Sequence, residues 1–316
     1  MKKTTNKRKN RRSPIFYILL IFLLCVFGYS AWQIGRYFFE GAVQKEKYDQ
    51  LAAIVEQAEA SAAATAANDS AEPAATEASE PVEETEPPIL PEYKTIVEMN
   101  PDMVGWLKID GTVINYPVMQ TPESPEYYLK RDFYKDYSDR GCLFAEEGCD
   151  VDTPSDNVTI YGHCMKDGSM FADLDSYIKK SFWEEYPLVA FDSLTQHRTY
   201  RIFAVFKTTA SVGEGFPYHT FINAMSEAEF NSFISQCKAL SFYDTGITPA
   251  YGDKLICLST CEYTLTNGRL VVAAVLEEDE TQALPMTPSG ALCIISTDTL
   301  WPRRVSGCSL RFPDSC

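Results

Sequence analysis

The chain alternates between long stretches of one character before it settles into short mixed runs. Ile15-Phe-Tyr-Ile-Leu-Leu-Ile-Phe-Leu-Leu-Cys-Val-Phe-Gly28 carries no charge, and Tyr29 to Ile34 adds none. About 20 apolar residues cross the hydrocarbon core of a bilayer as a helix, so residues 14–35 read as a transmembrane signal anchor. A cleavable signal peptide is the competing reading, because Ala31 and Gly35 are small. The apolar run is longer than a signal-peptide core, however, and no A-x-A pattern comes after it. Residues 36–58 are compatible with a helix continuing off the membrane. From Glu59 to Pro88 the chain is Ala, Glu, Thr, Ser and Pro. Such a composition buries too little apolar surface to offset its ordering entropy. Residues 36–92 are therefore expected to form an extracellular stalk or linker, with an Ala-rich helix over 52–67 as a stiffer variant.

After Tyr93 the pattern turns to short β-like runs. Two of them flank Asp110-Gly111, a tight-turn dipeptide, within residues 100–120. Further strands are expected over Gly141–Ala145, Asn157–Tyr161, Leu188–Ser193, Thr199–Thr208, Lys254–Cys261 and Arg269–Leu276. Many short strands rich in Val, Ile, Phe and Tyr point to a barrel or sandwich rather than a βαβ fold. Two helices interrupt them. Phe171, Leu174, Tyr177 and Ile178 recur at helical spacing after Ser169, a plausible cap. Ser226-Glu-Ala-Glu229 is a capping box, and after it comes an apolar face of Phe230, Phe233, Ile234, Cys237 and Leu240. Residues 93–280 are thus read as one mainly β domain, and residues 281–316, which keep neither period, as an atypical, disordered tail.

Charge refines the picture. The formal net charge is −16, yet residues 1–12 hold seven basic side chains and no acid, leaving 21 basic against 44 acidic groups elsewhere. Positive charge before an apolar span favours a cytoplasmic N-terminus (residues 1–13) and places the rest of the chain outside. The acidic body repels phosphate backbones, which argues against nucleic acid as a partner. Ten cysteines in 316 residues are too sparse for a disulfide-built miniprotein. Six lie in the globular region, which implies either pairing or a reducing habitat.

The chain has three histidines. His197 stands beside Arg198 in a hairpin turn and reads as a surface residue; His219 comes after a loop and reads as solvated or groove-lining. His163 ends a strand in Val158-Thr-Ile-Tyr-Gly-His-Cys-Met165, where Gly162 lets the backbone turn. Cys261 ends the apolar strand Leu255-Ile-Cys-Leu-Ser-Thr-Cys261. The period of two puts Cys257, Ser259 and Cys261 on one face and Ile256, Leu258 and Thr260 on the other. Cys257 and Cys261 lie about 13 Å apart along such a strand, too far for a disulfide. Arg269 opens the last strand after Thr266-Asn-Gly, a hairpin-type turn. A buried structural thiol and an exposed salt-bridging arginine are the plain readings of these two. The chemical reading is a nucleophile with an arginine fork for the oxyanion of an acyl transfer. A zinc site using His163, Cys164 and other thiols is disfavoured, since no C-x-x-C or H-x-x-x-H spacing occurs. No Gly-rich phosphate loop is present, and no cofactor or metal is expected.

Taken together, these residues resemble the sortase family, class B in particular. Tyr161-Gly-His-Cys-Met165 with Asp167-Gly-Ser-Met-Phe171 is similar to the class B histidine motif and its succeeding helix. Leu258-Ser-Thr-Cys261 is similar to the TLxTC-type cysteine motif, and Asn267-Gly-Arg-Leu-Val-Val272 resembles the arginine strand. Asn100-Pro-Asp-Met-Val-Gly-Trp-Leu-Lys-Ile109 resembles the opening of class B catalytic domains. The resemblance covers residues 93–278 and implies a sortase-type closed β-barrel of about eight strands, with N-terminal helices and a helix before the cysteine strand. It also implies a cysteine transpeptidase of a Gram-positive cell surface, with His163, Cys261 and Arg269 catalytic. The Cys261 thiolate would attack the Thr carbonyl of a C-terminal sorting signal, and a thioacyl intermediate would pass to a peptidoglycan cross-bridge amine or a pilin lysine. Leu258, Ser259, Thr260 and Glu262 flank the nucleophile and are expected to shape the substrate groove. Partners implied are sorting-signal-bearing secreted proteins and a peptidoglycan precursor. Two alternatives remain open: a stalked, non-catalytic, adhesin-like module, and a cell-wall cysteine hydrolase with water as acceptor.

Overall fold

A computed structural model describes residues 14–68, 88–211 and 213–277. The basic N-terminus (1–13), the linker over 69–87 and the tail (281–316) lie outside the described residues, as do the expectations made for them. The described chain runs through helices α1 (Pro14–Asn68) and α2 (Pro91–Met99) into strands β1 (Met103–Lys108), β2 (Asn115–Met119), β3 (Leu143–Ala145) and β4 (Asn157–Gly162). A 3-10 turn (Ala172–Ile178) and helix α3 (Lys180–Glu185) lead to β5 (Leu188–Ser193) and β6 (Thr199–Thr209). Helix α4 (Glu227–Leu240) precedes β7 (Leu255–Glu262) and β8 (Gly268–Leu276).

The eight strands close into a barrel in the order β1-β2-β3-β4-β7-β8-β6-β5, with β5 pairing back onto β1. Each strand read from the alternation is present, its ends shifted by at most two residues. The turn between β1 and β2 needs Gly111 in the left-handed region (φ +74°), a conformation glycine adopts at little cost. Alternation sorts the side chains of β7 and β8. Ile256, Leu258, Leu270, Val272 and Ala274 join the barrel's interior core. Cys257, Val271 and Ala273 face outward, where Phe230, Phe233, Ile234 and Cys237 of α4 cover them.

α4 keeps the serine cap of its box, with Ser226 Oγ accepting from the Glu229 N–H at 3.3 Å, while the Glu229 carboxylate reaches one residue further back and accepts from the Met225 N–H at 2.9 Å. The helix expected near Phe171 is a 3-10 turn over Ala172–Ile178 and is not capped by Ser169. The Ser169 hydroxyl instead donates to Asp167 Oδ1 at 2.7 Å, which closes the loop before the turn.

α1 contains the one stretch among the described residues long and apolar enough to cross a membrane, with a mean hydropathy of 2.3, and so supplies a candidate anchor. The same helix then continues into the region expected to be a free linker. There Gln44, Tyr48, Leu51 and Val55 are buried, one helical stripe seated against α2 and β2. The Tyr48 ring meets Tyr116 of β2 edge-on at 5.1 Å. A polar helix with a narrow apolar stripe gains its order from the surface it covers, and the stripe's partner is spread over distant segments of sequence.

Because Leu51 is fully buried in the main core, Leu51→Ala in the full chain is expected to lower unfolding stability by about 2–5 kcal/mol, the cost of a core truncation. Thermal or denaturant unfolding in detergent checks this. A free linker at residue 51 predicts no change.

Candidate active site

Three neighbouring strands bring the chemistry together. β4 and β7 run parallel, with Tyr161 opposite Ser259 and Gly162 opposite Thr260. One residue further on each strand stand His163 and Cys261. β7 and β8 are antiparallel, and their register sets Cys261 directly opposite Arg269. In-register neighbours project to the same face of a sheet. Tyr161, His163, Ser259, Cys261 and Arg269 therefore share the barrel's outer face, beyond the patch that α4 covers, and all five line one open cleft. Its far wall comes from Pro125, Glu126 and Leu129 and from Phe144 to Glu147 around β3.

Each group has a local cause for its position. Gly162 is required ahead of His163, because a Cβ there would stand 2.5 Å from Leu143 Cδ2 and 2.6 Å from the Phe171 ring. The Gly162 carbonyl is held by the Thr260 hydroxyl at 2.7 Å, which locks the two strand ends together. His163 Nε2 lies 2.8 Å from the Leu129 carbonyl oxygen. A carbonyl only accepts, so Nε2 carries the proton and Nδ1 is the nitrogen free for proton transfer. Cys261 is half-buried, and among the described residues its thiol has no hydrogen-bond partner. Arg269 Nη1 donates to the Gly268 carbonyl at 3.0 Å, and its guanidinium has no carboxylate partner among the described residues. Asn267, in the left-handed region at φ +50°, turns the chain between β7 and β8.

The seven described cysteines are unpaired, and their surroundings separate them. Burial pushes the Cys142 thiol up to about 12 and the Cys149 and Cys164 thiols up to about 11. Cys237 and Cys257 are raised by burial as well. A thiol held protonated at neutral pH is a poor nucleophile. Of the described cysteines only Cys261 lines the cleft.

The residues expected to shape the groove divide. Ser259 and Thr260 border the cleft, although the Ser259 hydroxyl is engaged with buried Tyr218 beneath it. Leu258 points into the barrel core with no exposure, as the strand period demands. Glu262 turns away as well: its carboxylate bonds Lys207 Nζ at 2.7 Å and accepts from the Thr264 and Leu265 N–H groups at 3.0 and 3.1 Å. It therefore holds the turn that carries Arg269. His219 is half-exposed away from the cleft, against the Tyr218 ring, and His197 bridges Asp192 and Glu92 at 2.8 and 3.1 Å. Tyr161, Glu126, Glu146, Glu147 and the Leu129 carbonyl were not singled out from sequence. Only Tyr161 carried a signal, two residues before His163 on the same strand face. Among the described residues no group of three His, Cys, Asp or Glu could hold a metal ion.

Burial opposes ionisation of Glu262, but the Lys207 ammonium and the hydrogen bonds at Thr264 outweigh it and hold the carboxyl at about 2, against an ordinary 4.5. A depressed folded-state value contributes stability above the unfolded value that is lost as pH falls through the folded one. Unfolding stability is thus expected to fall between about pH 4.5 and pH 2 in the wild type. Glu262→Gln flattens that part of the curve and lowers stability at pH 7; denaturant unfolding across the range measures both.

Comparison with known proteins agrees with this geometry. The Sortase domain profile matches residues 107–277. The chain is 30% identical over 260 residues to sortase B of Listeria monocytogenes, covering 82% of this chain and 95% of that protein. It is 26% identical over 269 residues to sortase B of Staphylococcus aureus, covering 84% and 97%. Among solved structures, the Staphylococcus aureus sortase B–substrate complex superposes with a TM-score of 0.62 at 24% identity, over 76% of this chain and 99% of that one. A mainly β barrel, a cleft presenting one accessible cysteine beside a histidine and an arginine, and near full-length similarity to curated relatives converge: the chain belongs to the sortase family of cysteine transpeptidases, in its class B.

Proposed function

We propose that Cys261, His163 and Arg269 carry the transpeptidation, in two acyl-transfer steps on the outer face of β4, β7 and β8. The observation that supports these roles best is the row set by strand register, Gly162 opposite Thr260 and Cys261 opposite Arg269, along the floor of one cleft. In the first step His163 Nδ1 takes the Cys261 thiol proton, and the resulting thiolate attacks the Thr carbonyl carbon of a sorting signal and forms a C–S bond. The charge that develops on the carbonyl oxygen is met by N–H donors of Arg269, whose fork suits an oxyanion. Collapse of the tetrahedral intermediate breaks the C–N bond, and His163 protonates the departing amine. In the second step an incoming amine attacks the thioester, His163 takes the amine's proton, and the thiolate leaves.

The acceptor is inferred to be an amine of a peptidoglycan cross-bridge or of a pilin lysine. Glu126, Glu146 and Glu147 at the cleft wall favour the approach of an ammonium group. The donor is a secreted protein that bears the sorting signal. Placement is inferred from the first 35 residues. Seven basic side chains precede the apolar part of α1, which favours a cytoplasmic N-terminus and an extracellular barrel.

Intact-mass spectrometry of the full chain in detergent, with a panel of sorting-signal peptides and triglycine, tests this reading. An acyl adduct on Cys261 together with a triglycine-exchanged peptide, both lost in Cys261→Ala, is the expected result. Peptide cleaved only to the free acid would make the protein a hydrolase, and an unreactive Cys261 would leave the binding module. Arg269→Lys, which keeps the charge but not the planar fork, is expected to lower kcat by about 10²–10³-fold, the effect of losing an oxyanion donor. Steady-state kinetics on the best peptide measures it.

A further inference from the structure

α1 is one unbroken helix from Pro14 to Asn68, and beyond its apolar part it rests on the two loops that hold His163. The first loop comes after the 3-10 turn at Tyr127–Lys130, within which the Leu129 carbonyl receives the His163 Nε2 proton. The Cys142 N–H returns to the Tyr128 carbonyl at 3.0 Å. The Gly141 carbonyl, one residue before, accepts from Gln44 Nε2 and from the Tyr48 hydroxyl of α1, each at 3.1 Å. The second loop runs from His163 to Phe171 and is closed by the Phe171 N–H on the His163 carbonyl at 2.9 Å. At its tip Asp167 accepts from the Ser169 N–H and hydroxyl.

Arg140 joins these parts. Its side chain is 3% exposed and ion-paired with Asp167, with Nε donating to Asp167 Oδ2 at 3.1 Å. Nη2 also donates to the Tyr37 carbonyl of α1 at 3.2 Å, and the guanidinium lies 4.8 Å over the Tyr37 ring. A buried guanidinium must keep its donors paired, so helix and loop move together or not at all. The fit is close at one point of the helix. A Cβ on Gly41 would stand 2.5 Å from Arg140 Nη2 and 2.9 Å from Asp167 Oδ2.

We propose that Gly41 and Arg140 are positioning residues through which the anchor helix α1 sets the orientation of His163 toward Cys261. The inference rests on the pairing of those two residues proposed above. α1 is then a working part of the catalytic unit.

The test uses the full chain in detergent and tracks alkylation of Cys261 by iodoacetamide as a function of pH, read by peptide mass spectrometry. Wild type, Gly41→Ala, Arg140→Lys and His163→Ala are compared. The other charged or titratable groups near the thiol are unchanged in all four: Arg269, Tyr161, Glu126, Glu146 and Glu147 in the cleft, Glu262 next in sequence, and Cys164 with Tyr263 and Asp175 beside it. Differences between profiles therefore report the imidazole. Cys257, fully buried in the barrel wall, reports folding by staying unlabelled. The expected result is that Gly41→Ala and Arg140→Lys displace the profile to higher pH, in the direction of His163→Ala. At any pH below the profile's midpoint, each unit of displacement slows labelling about tenfold. Alanine is the better helix former, so a role confined to helix stability predicts no such displacement. Wild-type profiles in both variants, with Cys257 protected, overturn the proposal. Should Arg140→Lys expose Cys257, Gly41→Ala decides alone. If His163→Ala also matches wild type, the pairing itself fails and takes this inference with it; if it does not, only this inference falls.

Discussion

Parallel pairing of β4 with β7 makes neighbours of two strand ends that are 98 residues apart, Gly162 and Thr260. The floor of the cleft depends on that register. A slip of one residue would send each side chain of β7 to the opposite face, taking Cys261 out of the cleft and pushing Leu258 outward. β7 is held against such a slip on both edges, by β4 and by β8. Closure of the barrel through β5 and β1 leaves no free edge along which the pairing could drift. The chain between β4 and β7 contains β5, β6 and α4, so the site joins segments from both ends of the domain.

The outer face of β7 shows how one strand serves packing and chemistry. Toward its start, Cys257 lies under Phe233 and Cys237 of α4. Toward its end the cover stops, Tyr218 takes over beneath Ser259, and Cys261 reaches the cleft. Where α4 gives out, the same alternation that builds a core delivers a thiol to the cleft. The last residue of the strand, Glu262, is spent on the turn. Its bonds to Lys207, Thr264 and Leu265 stiffen the hairpin that presents Arg269.

How much could be read in advance depends on where each signal resides. The strands carry their period locally, so β4, β5, β6, β7 and β8 were visible in the chain, as was α4 with its capping box. His163, Cys261 and Arg269 stood out because each ends or opens a strand. The alternation already put Leu258 on the inner face, and the structure buries it there; Glu262 lies one step beyond Cys261 but is captured by Lys207. The stripe Gln44, Tyr48, Leu51, Val55 was present in the sequence, but an acidic, Ala-rich neighbourhood gave no hint of a surface to receive it. The Leu129 acceptor is a backbone carbonyl, and no side-chain pattern marks it.

Cysteine content, ambiguous in the sequence, takes on a physical order in the folded chain. Cys142, Cys149, Cys237 and Cys257 are used as small apolar residues within the two cores. Burial disfavours the thiolate, and thiolate is what reacts with electrophiles, oxidants and other thiols. Cys164, next to His163, is restrained in the same way by partial burial and by Asp175, which lies 3.9 Å from its sulfur. A domain with six free thiols thus retains one that lines the cleft, directly opposite Arg269. Selectivity for Cys261 needs no disulfides to protect the rest, because desolvation already keeps them neutral.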